Sequence, residues 1–241
     1  MNAVDAFVGT AGWAVPAAHA AALPEEGSQL QRYAAVLTAA EINSSFHRPH
    51  RPQTYERWAA STPAGFRFAV KCPKHISHEA RLQAADELLA RFVGEAGGLG
   101  GKWAVMLVQL PPSLQFDAGV AGRFFDGVHA LFGGWVVCEP RHASWFTADA
   151  DQLMRDAQVA RAAADPTKWP DAERPGGHPG LAYFRWHGSP RVYWSAYEEA
   201  WLEQRAETLN ALSKRTARWC IFDNTASGAA LGNALQLRAL L

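Results

Sequence analysis

Several apolar runs of this 241-residue chain end in side chains of the kinds that transfer protons or bind anions. Residues 135–138 are apolar, and Glu139, Arg141 and His142 follow them directly. Polar side chains end other apolar runs in the same way: Glu41, Asn43, Lys71, Gln109, Asp165, Arg185, His187, Asp223 and Asn224. An unpaired buried charge is costly. We therefore expect these groups to pair with one another, to be hydrated or to bind a ligand.

Two chemical roles follow from these residue types. Carboxylates, an amine and an imidazole act as general acids and bases when their surroundings separate their pKa values. The residues predicted to do so are Glu41, Lys71, Glu139 and His187. Guanidinium groups suit carboxylates and phosphates. The residues predicted to bind substrate are Asn43, Gln109, Arg141, His142, Arg185, Asn224, Trp13 and Trp145. For Trp13, Trp145 and also Trp186, a pocket wall and packing beneath the loops are equally compatible with the sequence.

A divalent metal ion is the alternative to metal-free chemistry. Its candidate ligands come from four different predicted strands, as in sugar-isomerase-like barrels: Glu41, Glu139, Asp165 and His187. The chain has no HxH or HExxH spacing. Lys71 and two arginines would also neutralise the acids already. The sequence therefore favours a site without a metal or other cofactor.

Eight runs rich in branched and aromatic residues alternate with helical patterns. The runs are residues 7–12, 39–45, 66–71, 104–109, 135–139, 159–165, 181–186 and 219–223. Apolar residues recur at helical spacing within 30–39, 53–61, 84–96, 121–132, 149–158, 196–213 and 230–241. One strand–helix unit per roughly 30 residues predicts an α/β fold, a single (β/α)8 TIM-type barrel over residues 1–241. A doubly wound open sheet is the alternative, but no glycine-rich dinucleotide fingerprint is present.

Residues 165–180 interrupt this rhythm. They contain four prolines and three glycines and have no helical period. Because proline disrupts helix interiors, the segment is predicted to be a long Pro/Gly-rich loop after strand 6. It would lie over one end of the barrel, and the sequence leaves open whether it moves as a lid.

The polar strand ends are expected to share one functional face. In TIM-type barrels this face is at the C-terminal ends of the strands. The strand beginnings Trp135, Leu181 and Trp219 are apolar, with Arg67 and Arg161 as exceptions. Glu139 and Arg141 are two residues apart and should point the same way. Thr225 or Ser227 is predicted to cap the last helix, whose backbone N–H groups would then face an anion.

Charge and cysteine content restrict the partners and the compartment. Lys plus Arg and Asp plus Glu both number 23, so the zero net charge gives no signal for nucleic acid or acidic membrane. Three cysteines without CxxC spacing argue against disulfides or a zinc–thiolate site, and Cys72 is expected to be an inert thiol. No apolar run approaches the ~18 residues of a membrane span. No basic region precedes Arg32 as a secretory leader requires. We expect a soluble, cytoplasmic protein.

Seven sequence blocks, in order, resemble the domain-of-unknown-function 72 (YecE-like) family. They are GTAGW (9–13), EINSSFHRP (41–49), FRFAVKCPKHISHE (66–79), VQLPPSL (108–114), CEPRHASW (138–145), FRWHG (184–188) and FDNTASGAALGNA (222–234). The resemblance covers nearly the whole chain. It implies a TIM-type barrel with a pocket at the same strand ends, and no settled activity. His47 stands where the family usually has Tyr, and Asp223 stands where a second Asn is usual, so no role for an Asn pair is carried over.

Three classes of function remain open. We favour an enzyme that uses general acid–base chemistry on a small anionic substrate, phosphorylated or sugar-like, as a hydrolase, lyase or isomerase. The second class is a metal-dependent hydrolase or isomerase on the same carboxylates. The third is a barrel that binds a small anion without catalysis, since a fold does not determine a reaction. The sequence indicates no oligomeric state.

Overall fold

The branched and aromatic runs form a nearly closed barrel in a computed structural model that describes residues 6–241. The strands are β1 (Phe7–Ala11), β2 (Ala39–Ile42), β3 (Arg67–Lys71), β4 (Trp103–Gln109), β5 (Trp135–Glu139), β6 (Val159–Arg161), β7 (Ala163–Asp165), β8 (Gly176–Gly177), β9 (Leu181–Trp186) and β10 (Ala217–Phe222). Their hydrogen-bonded order is β7-β9-β10-β1-β2-β3-β4-β5-β6-β8. All neighbours are parallel except β6 and β8. The predicted α/β barrel is confirmed.

The sixth predicted strand joins the two ends of the sheet. Its first half, β6, pairs with β5, and its second half, β7, pairs with β9. Ala162 lies between the halves, and its N–H donates to Cys138 O at 2.9 Å. A single stretch of chain therefore contacts both neighbouring strands in turn.

Helices between the strands form the outer layer. They are α1 (Gln29–Ala34), α2 (Ser44–His47), α3 (Pro52–Ala60), α4 (Asp86–Ala96), α5 (Ala118–Leu131), α6 (Ala148–Asp156), α7 (Glu199–Ala211) and α8 (Ala229–Leu240). Ser28 and Asp117 accept hydrogen bonds from backbone N–H groups in the first turns of α1 and α5, which satisfies donors that a helix start leaves free. The predicted cap of α8 by Thr225 or Ser227 is wrong, because its N-cap residue is Gly228 and no side chain caps it. Across residues 6–241, no helix has the length and apolar character needed to cross a membrane.

Side-chain alternation along the strands produces two cores. The inner core contains Ala39, Ala69, Val105, Leu107, Val137, Ala160, Ala162, Leu181, Tyr183, Ala217, Trp219 and Ile221. Intervening residues such as Phe68 and Met106 pack against the helices. Trp219 stacks between Phe7 and Tyr183, with ring centroids 4.9 and 5.9 Å away, and fills the barrel interior. Two residues beyond members of this core, the chain places polar side chains: Glu41, Lys71, Gln109, Glu139, Arg185 and Asp223.

The contact between β1 and β2 requires a glycine. A Cβ atom on Gly9 would lie 2.0 Å from the backbone oxygen of Ala39. The Tyr33 hydroxyl donates to that same oxygen at 2.9 Å and accepts from Thr10 N at 2.8 Å. The two strands and α1 are therefore packed too closely at this point for any larger residue.

The predicted loop after strand 6 is partly ordered. Residues 166–180 contain no α-helix but include a 3-10 turn, Pro170–Glu173, and the short strand β8, which pairs antiparallel with β6. Arg161 Nη1 donates to Asp171 O at 2.8 Å. Backbone pairing and this arginine hold the segment against the barrel, and a lid movement stays a prediction.

Candidate active site at the strand ends

Arg185 is fully buried on β9 and bonds carboxylates from three other strand ends. Its Nε and Nη2 atoms donate to the two oxygens of Glu41 at 3.0 and 2.6 Å. Nη1 donates to Glu139 at 2.5 Å, and Nη2 also donates to Asp223 at 3.0 Å. The Tyr183 hydroxyl donates to Glu41 at 2.9 Å. All three guanidinium nitrogens are engaged, so Arg185 links the strand ends across the barrel interior.

Opposite charges, rather than burial, set the protonation of this network. Burial raises the pKa of Glu139, but Arg185, Arg141 and a hydrogen bond from His187 outweigh burial and hold this pKa well below its usual range. Burial likewise opposes ionisation of Asp223, and Arg185 and His187 lower its pKa. Burial by itself lowers the pKa of Arg185, but its carboxylate neighbours keep it well above the ordinary value. Glu139, Asp223 and Arg185 are therefore ionised at neutral pH.

His187 is buried between two carboxylates just beyond β9. Its Nδ1 atom lies 3.1 Å from Asp223 Oδ2. Its Nε2 atom lies 3.1 Å from Glu139 Oε1 and 3.0 Å from Arg141 Nη2. The neutral ring carries one proton: on Nδ1 it is donated to Asp223 and Nε2 can accept from Arg141, and on Nε2 it is donated to Glu139. These contacts hold the imidazole in one orientation.

Arg141 is the outermost cation of the network. Its side chain is 25% exposed, and Nη2 bonds Glu139 Oε1 as well as approaching His187. The buried Nε atom has no hydrogen-bond partner in residues 6–241, and Nη1 makes no hydrogen bond to them either. Two of its three nitrogen atoms are thus without a protein acceptor in the described chain.

The ends of β2, β3 and β4 present polar side chains outside the network. Asn43 follows β2, and its buried Oδ1 atom has no hydrogen-bond partner among residues 6–241. Lys71 ends β3 and Gln109 ends β4. Within the same residues, Lys71 Nζ makes no hydrogen bond or ion pair, and it lies 4.3 Å from the ring centre of Phe46. Burial and then Arg185 lower the pKa of Lys71, against the opposing effect of nearby carboxylates.

Two predicted substrate-binding residues hold loops instead. Asn224 is fully buried, and its Nδ2 atom donates to Ser195 O and Asn233 Oδ1, both at 2.9 Å. It therefore joins the loop after β9 to helix α8. The ring of His142 contacts Ser144 at 2.9 Å and caps the short 3-10 turn that begins the loop after β5. The structure does not bring these side chains into the ion network.

The three tryptophans considered as pocket walls pack in or against the outer core. Trp145 is buried and donates from Nε1 to Leu114 O at 2.9 Å. Trp13 packs edge-on against Trp58, with ring centroids 5.1 Å apart. Trp186 is buried within the same core. The packing role left open by the sequence accounts for all three positions.

Sequence reasoning missed two members of the network. Asp223 ends a predicted strand and departs from the family pattern, but it is not among the catalytic or substrate-binding residues predicted from the sequence. Tyr183 is not among them either. The signal that finds both is alternation, because Tyr183 lies two residues before Arg185, and Asp223 two residues after the interior residue Ile221.

A cavity of about 310 Å³ opens beside the network, between the loop after β5 and the segment that follows β7. Arg141 and His187 form part of its lining, and Lys168 adds another cation. Phe146, Trp169 and several alanine and proline side chains supply apolar walls. The cavity is therefore lined by both cationic and aromatic side chains.

The donor set does not fit the alternative metal site. Within residues 6–241, no group of three or more His, Cys, Asp or Glu side chains is arranged to hold a metal ion. Arg185 bonds both Glu41 and Glu139, so its guanidinium occupies the space between them. Asp165 accepts a hydrogen bond from Tyr197 at 2.6 Å instead of joining these acids.

Sequence comparison identifies relatives of the whole chain and of part of it. A model of the family described as "Protein of unknown function DUF72" matches residues 7–241. The UPF0759 protein YecE of Escherichia coli (strain K12) is 27% identical over 126 residues, which make up 52% of this chain and 46% of that protein. The protein of the same name from Escherichia coli O157:H7 matches equally. The match thus spans about half the length of these curated relatives.

Solved structures share the fold over nearly the full length. A DUF72 family protein from Enterococcus faecalis V583 has a TM-score of 0.81 and 20% identity, with 97% of this chain and 94% of that chain covered. One from Thermotoga maritima MSB8 has a TM-score of 0.78 and 23% identity, with 98% of each chain covered. A sugar phosphate isomerase/epimerase from Parabacteroides distasonis ATCC 8503 has a TM-score of 0.52 and 10% identity, with 99% and 94% covered. At these identities the likeness shows the fold alone.

Proposed function

This chain belongs to the DUF72 family, and we propose that it is an enzyme that transfers protons on a small anionic substrate at the C-terminal ends of its barrel strands. The proposal rests on the position of Arg141 at the cavity and on its unpaired hydrogen-bond donors. This arginine lines the cavity, is partly exposed, and has two nitrogen atoms without a protein acceptor in residues 6–241. A guanidinium with free donors beside a cavity is suited to a phosphate or a carboxylate.

The cavity supports a phosphorylated or sugar-like substrate. Its volume of about 310 Å³ suits a small molecule. An anionic group would bind Arg141 and Lys168, while the body of the substrate would contact Phe146 and Trp169. The sugar phosphate isomerase/epimerase is a fold neighbour only, so the substrate class rests on the cavity's own residues.

His187 is the group best placed to transfer a proton. It lines the cavity, and Asp223 fixes its Nδ1 side at 3.1 Å. A carboxylate in this position orients an imidazole and stabilises its protonated form. A substrate that binds Arg141 and displaces it from His187 Nε2 takes the place of Arg141 at that nitrogen, beside Glu139 Oε1 at 3.1 Å.

The two buried glutamates fit a positioning role better than the direct acid–base role expected from the sequence. Because Arg185 and Arg141 hold the pKa of Glu139 well below its usual range, Glu139 is a weak base at neutral pH. Both oxygens of Glu41 already accept hydrogen bonds from Arg185. The glutamates therefore hold the arginines in place.

Binding of glucose 6-phosphate tests the anion site. Isothermal titration of the wild type, Arg141→Ala and Arg191→Ala compares a cavity arginine with an exposed arginine that stacks 4.4 Å from the Trp194 ring. Loss of one charge-assisted interaction should weaken binding to Arg141→Ala by at least about tenfold, or ~1.4 kcal/mol. Arg191→Ala should bind like the wild type. Equal affinity in all three proteins would rule out the anion site.

Proton transfer is tested by His187→Gln. Turnover of sugar phosphates, and exchange of their carbon-bound hydrogen with deuterated solvent, are followed by NMR. The variant should retain binding but lose activity by roughly 10²–10⁴-fold. Full activity in His187→Gln, or neither turnover nor exchange of any bound sugar phosphate in the wild type, would contradict the enzymatic proposal.

The same proposal places the protein in the cytoplasm. Its three cysteines are free and buried, which suits a reducing compartment. Cell fractionation checks this, and recovery from a membrane or extracellular fraction would contradict it.

A further inference from the structure

The polar residues at the C-terminal ends of the strands, here called the strand-end layer, form two groups. In the ion network, Glu139 and Arg185 bond each other and their neighbours. In the second group, the side chains of Asn43, Lys71 and Gln109 have no hydrogen bond or ion pair with residues 6–241. Asn43 directly follows β2, and Lys71 and Gln109 end the adjacent strands β3 and β4. The strands on both sides of β3 therefore each lead to an amide side chain.

Lys71 is held in place by its backbone and by an aromatic ring. It lies two residues beyond the interior residue Ala69, and its backbone oxygen accepts from Ser45 Oγ at 2.7 Å. Its ammonium lies over Phe46. With β6 and β7 counted as one strand, β3 lies opposite β9 in the barrel. The amine therefore faces the interior across from the ion network.

Lys71 differs from Lys102, because the amine of Lys102 has hydrogen-bond partners in the protein. Lys102 Nζ donates to three oxygens, from Ala59 and Thr62, at 2.6–2.9 Å. Largely buried lysines are usually paired. Lysine acts as a nucleophile through its neutral amine, and a site that disfavours positive charge increases the neutral fraction. The lowered pKa of Lys71, caused by burial and by Arg185, agrees with this reading.

We propose that Lys71 is a nucleophile that forms a Schiff base with a small carbonyl compound, whose oxygen is bound by the amide groups of Asn43 and Gln109. This activity goes beyond the anion site and does not depend on it. The amides supply N–H donors where negative charge develops on the carbonyl oxygen.

Formation of the Schiff base needs no reagent other than the carbonyl compound. The neutral amine of Lys71 attacks the carbonyl carbon, a C–N bond forms, and the π electron pair moves to oxygen. A proton moves from nitrogen to oxygen and gives a neutral carbinolamine. The nitrogen lone pair then expels the hydroxyl group, which takes up a proton and leaves as water. A protonated imine remains on Lys71, and hydride from added cyanoborohydride reduces it to a stable secondary amine.

Reductive trapping on the intact protein tests the proposal. The wild type is incubated with cyanoborohydride and either dihydroxyacetone or dihydroxyacetone phosphate, and the labelled lysines are quantified by peptide mass spectrometry. Lys71 should be labelled at least about tenfold faster than exposed Lys74 or Lys214, because its lowered pKa leaves more of its amine neutral. Labelling of Lys71 at the same rate as these lysines, or more slowly, overturns the proposal.

Variants and pH give independent readouts. Lys71→Arg keeps the charge and should abolish the fast phase, whereas Lys74→Arg, which removes a lysine paired with Glu79, should keep it. If Lys71→Arg does not fold, the pH profile of the wild type decides. Labelling of Lys71 should level off at lower pH than labelling of Lys74, and coincident profiles overturn the proposal. Because dihydroxyacetone carries no anionic group, its result is independent of whether Arg141 binds phosphate.

Discussion

Arg185→Met removes the cation that bonds Glu41, Glu139 and Asp223 and keeps a long unbranched side chain. Four charge-assisted hydrogen bonds are lost, each typically worth ~1.5–3 kcal/mol. Their simple sum, roughly 6–12 kcal/mol, would equal the whole stability of many domains. Protonation of the abandoned carboxylates limits the loss, and breaking a buried ion pair typically costs about 3–5 kcal/mol. We expect a decrease of this size in the free energy of unfolding at about pH 7.5.

The pH dependence of this loss identifies its cause. In the wild type, the pKa of Glu139 in the folded state lies well below its unfolded value. Its contribution is therefore complete above the unfolded pKa and is lost only as the pH falls through the folded pKa. In Arg185→Met, burial without the cation raises the carboxylate pKa values in the folded state. The folded variant then gains protons that the unfolded chain does not, so the stability difference should shrink between about pH 7.5 and about pH 5.

Urea denaturation followed by tryptophan fluorescence measures this difference at both pH values. Arg161→Met is the matched control, since Arg161 is also buried but has, in residues 6–241, one ion pair, with Asp151 at 3.7 Å. Its stability loss should change little over the same pH range. A loss for Arg185→Met below about 1 kcal/mol, or one that stays constant with pH, would refute the electrostatic reasoning.

Three further predictions concern packing and thiol reactivity. Trp145→Phe leaves the buried oxygen of Leu114 without its donor and should cost ~1–3 kcal/mol in urea denaturation; sugar phosphate affinity should not change, and a changed affinity would return Trp145 to the pocket wall. Gly9→Ala places a methyl group 2.0 Å from Ala39 O and should cost at least ~1–3 kcal/mol; wild-type stability would show that β1 and β2 separate readily. Burial raises the pKa of all three cysteine thiols, so Ellman's reagent should react only after unfolding, and rapid reaction of the folded protein would contradict this.

Periodicity in the sequence predicted the strand–helix repeat and most of the polar strand ends, and the family resemblance favoured a closed barrel over the open sheet that periodicity left possible. Residues two apart on a strand share a face, which is why Glu139 with Arg141, and Arg185 with His187, converge as predicted. The pairing itself was not predictable. Arg185 and Glu41 are 144 positions apart, and their contact depends on how the strands are staggered when the barrel closes.

Residue types that are stable in several environments, such as tryptophan and asparagine, were the hardest to assign to the site or to the packing around it. Trp145 and Asn224 lie close to polar strand ends in the sequence, yet they hold loops through hydrogen bonds to the backbone. Single-residue backbone geometry was equally inaccessible. The glycine N-cap of α8, and the change of pairing partner at Ala162, depend on neighbouring segments that a local pattern does not describe.

The balance of charge in the strand-end layer has a consequence for sequence variation in the family. Three acids, Glu41, Glu139 and Asp223, pair with Arg141, Arg185 and His187. The family pattern that this chain resembles has Asn in place of Asp223. In this chain, Asn at that position would leave one negative charge fewer beside Arg185. Changes at these positions should therefore occur as compensating pairs, and covariation among relatives would trace the network even where its individual members differ.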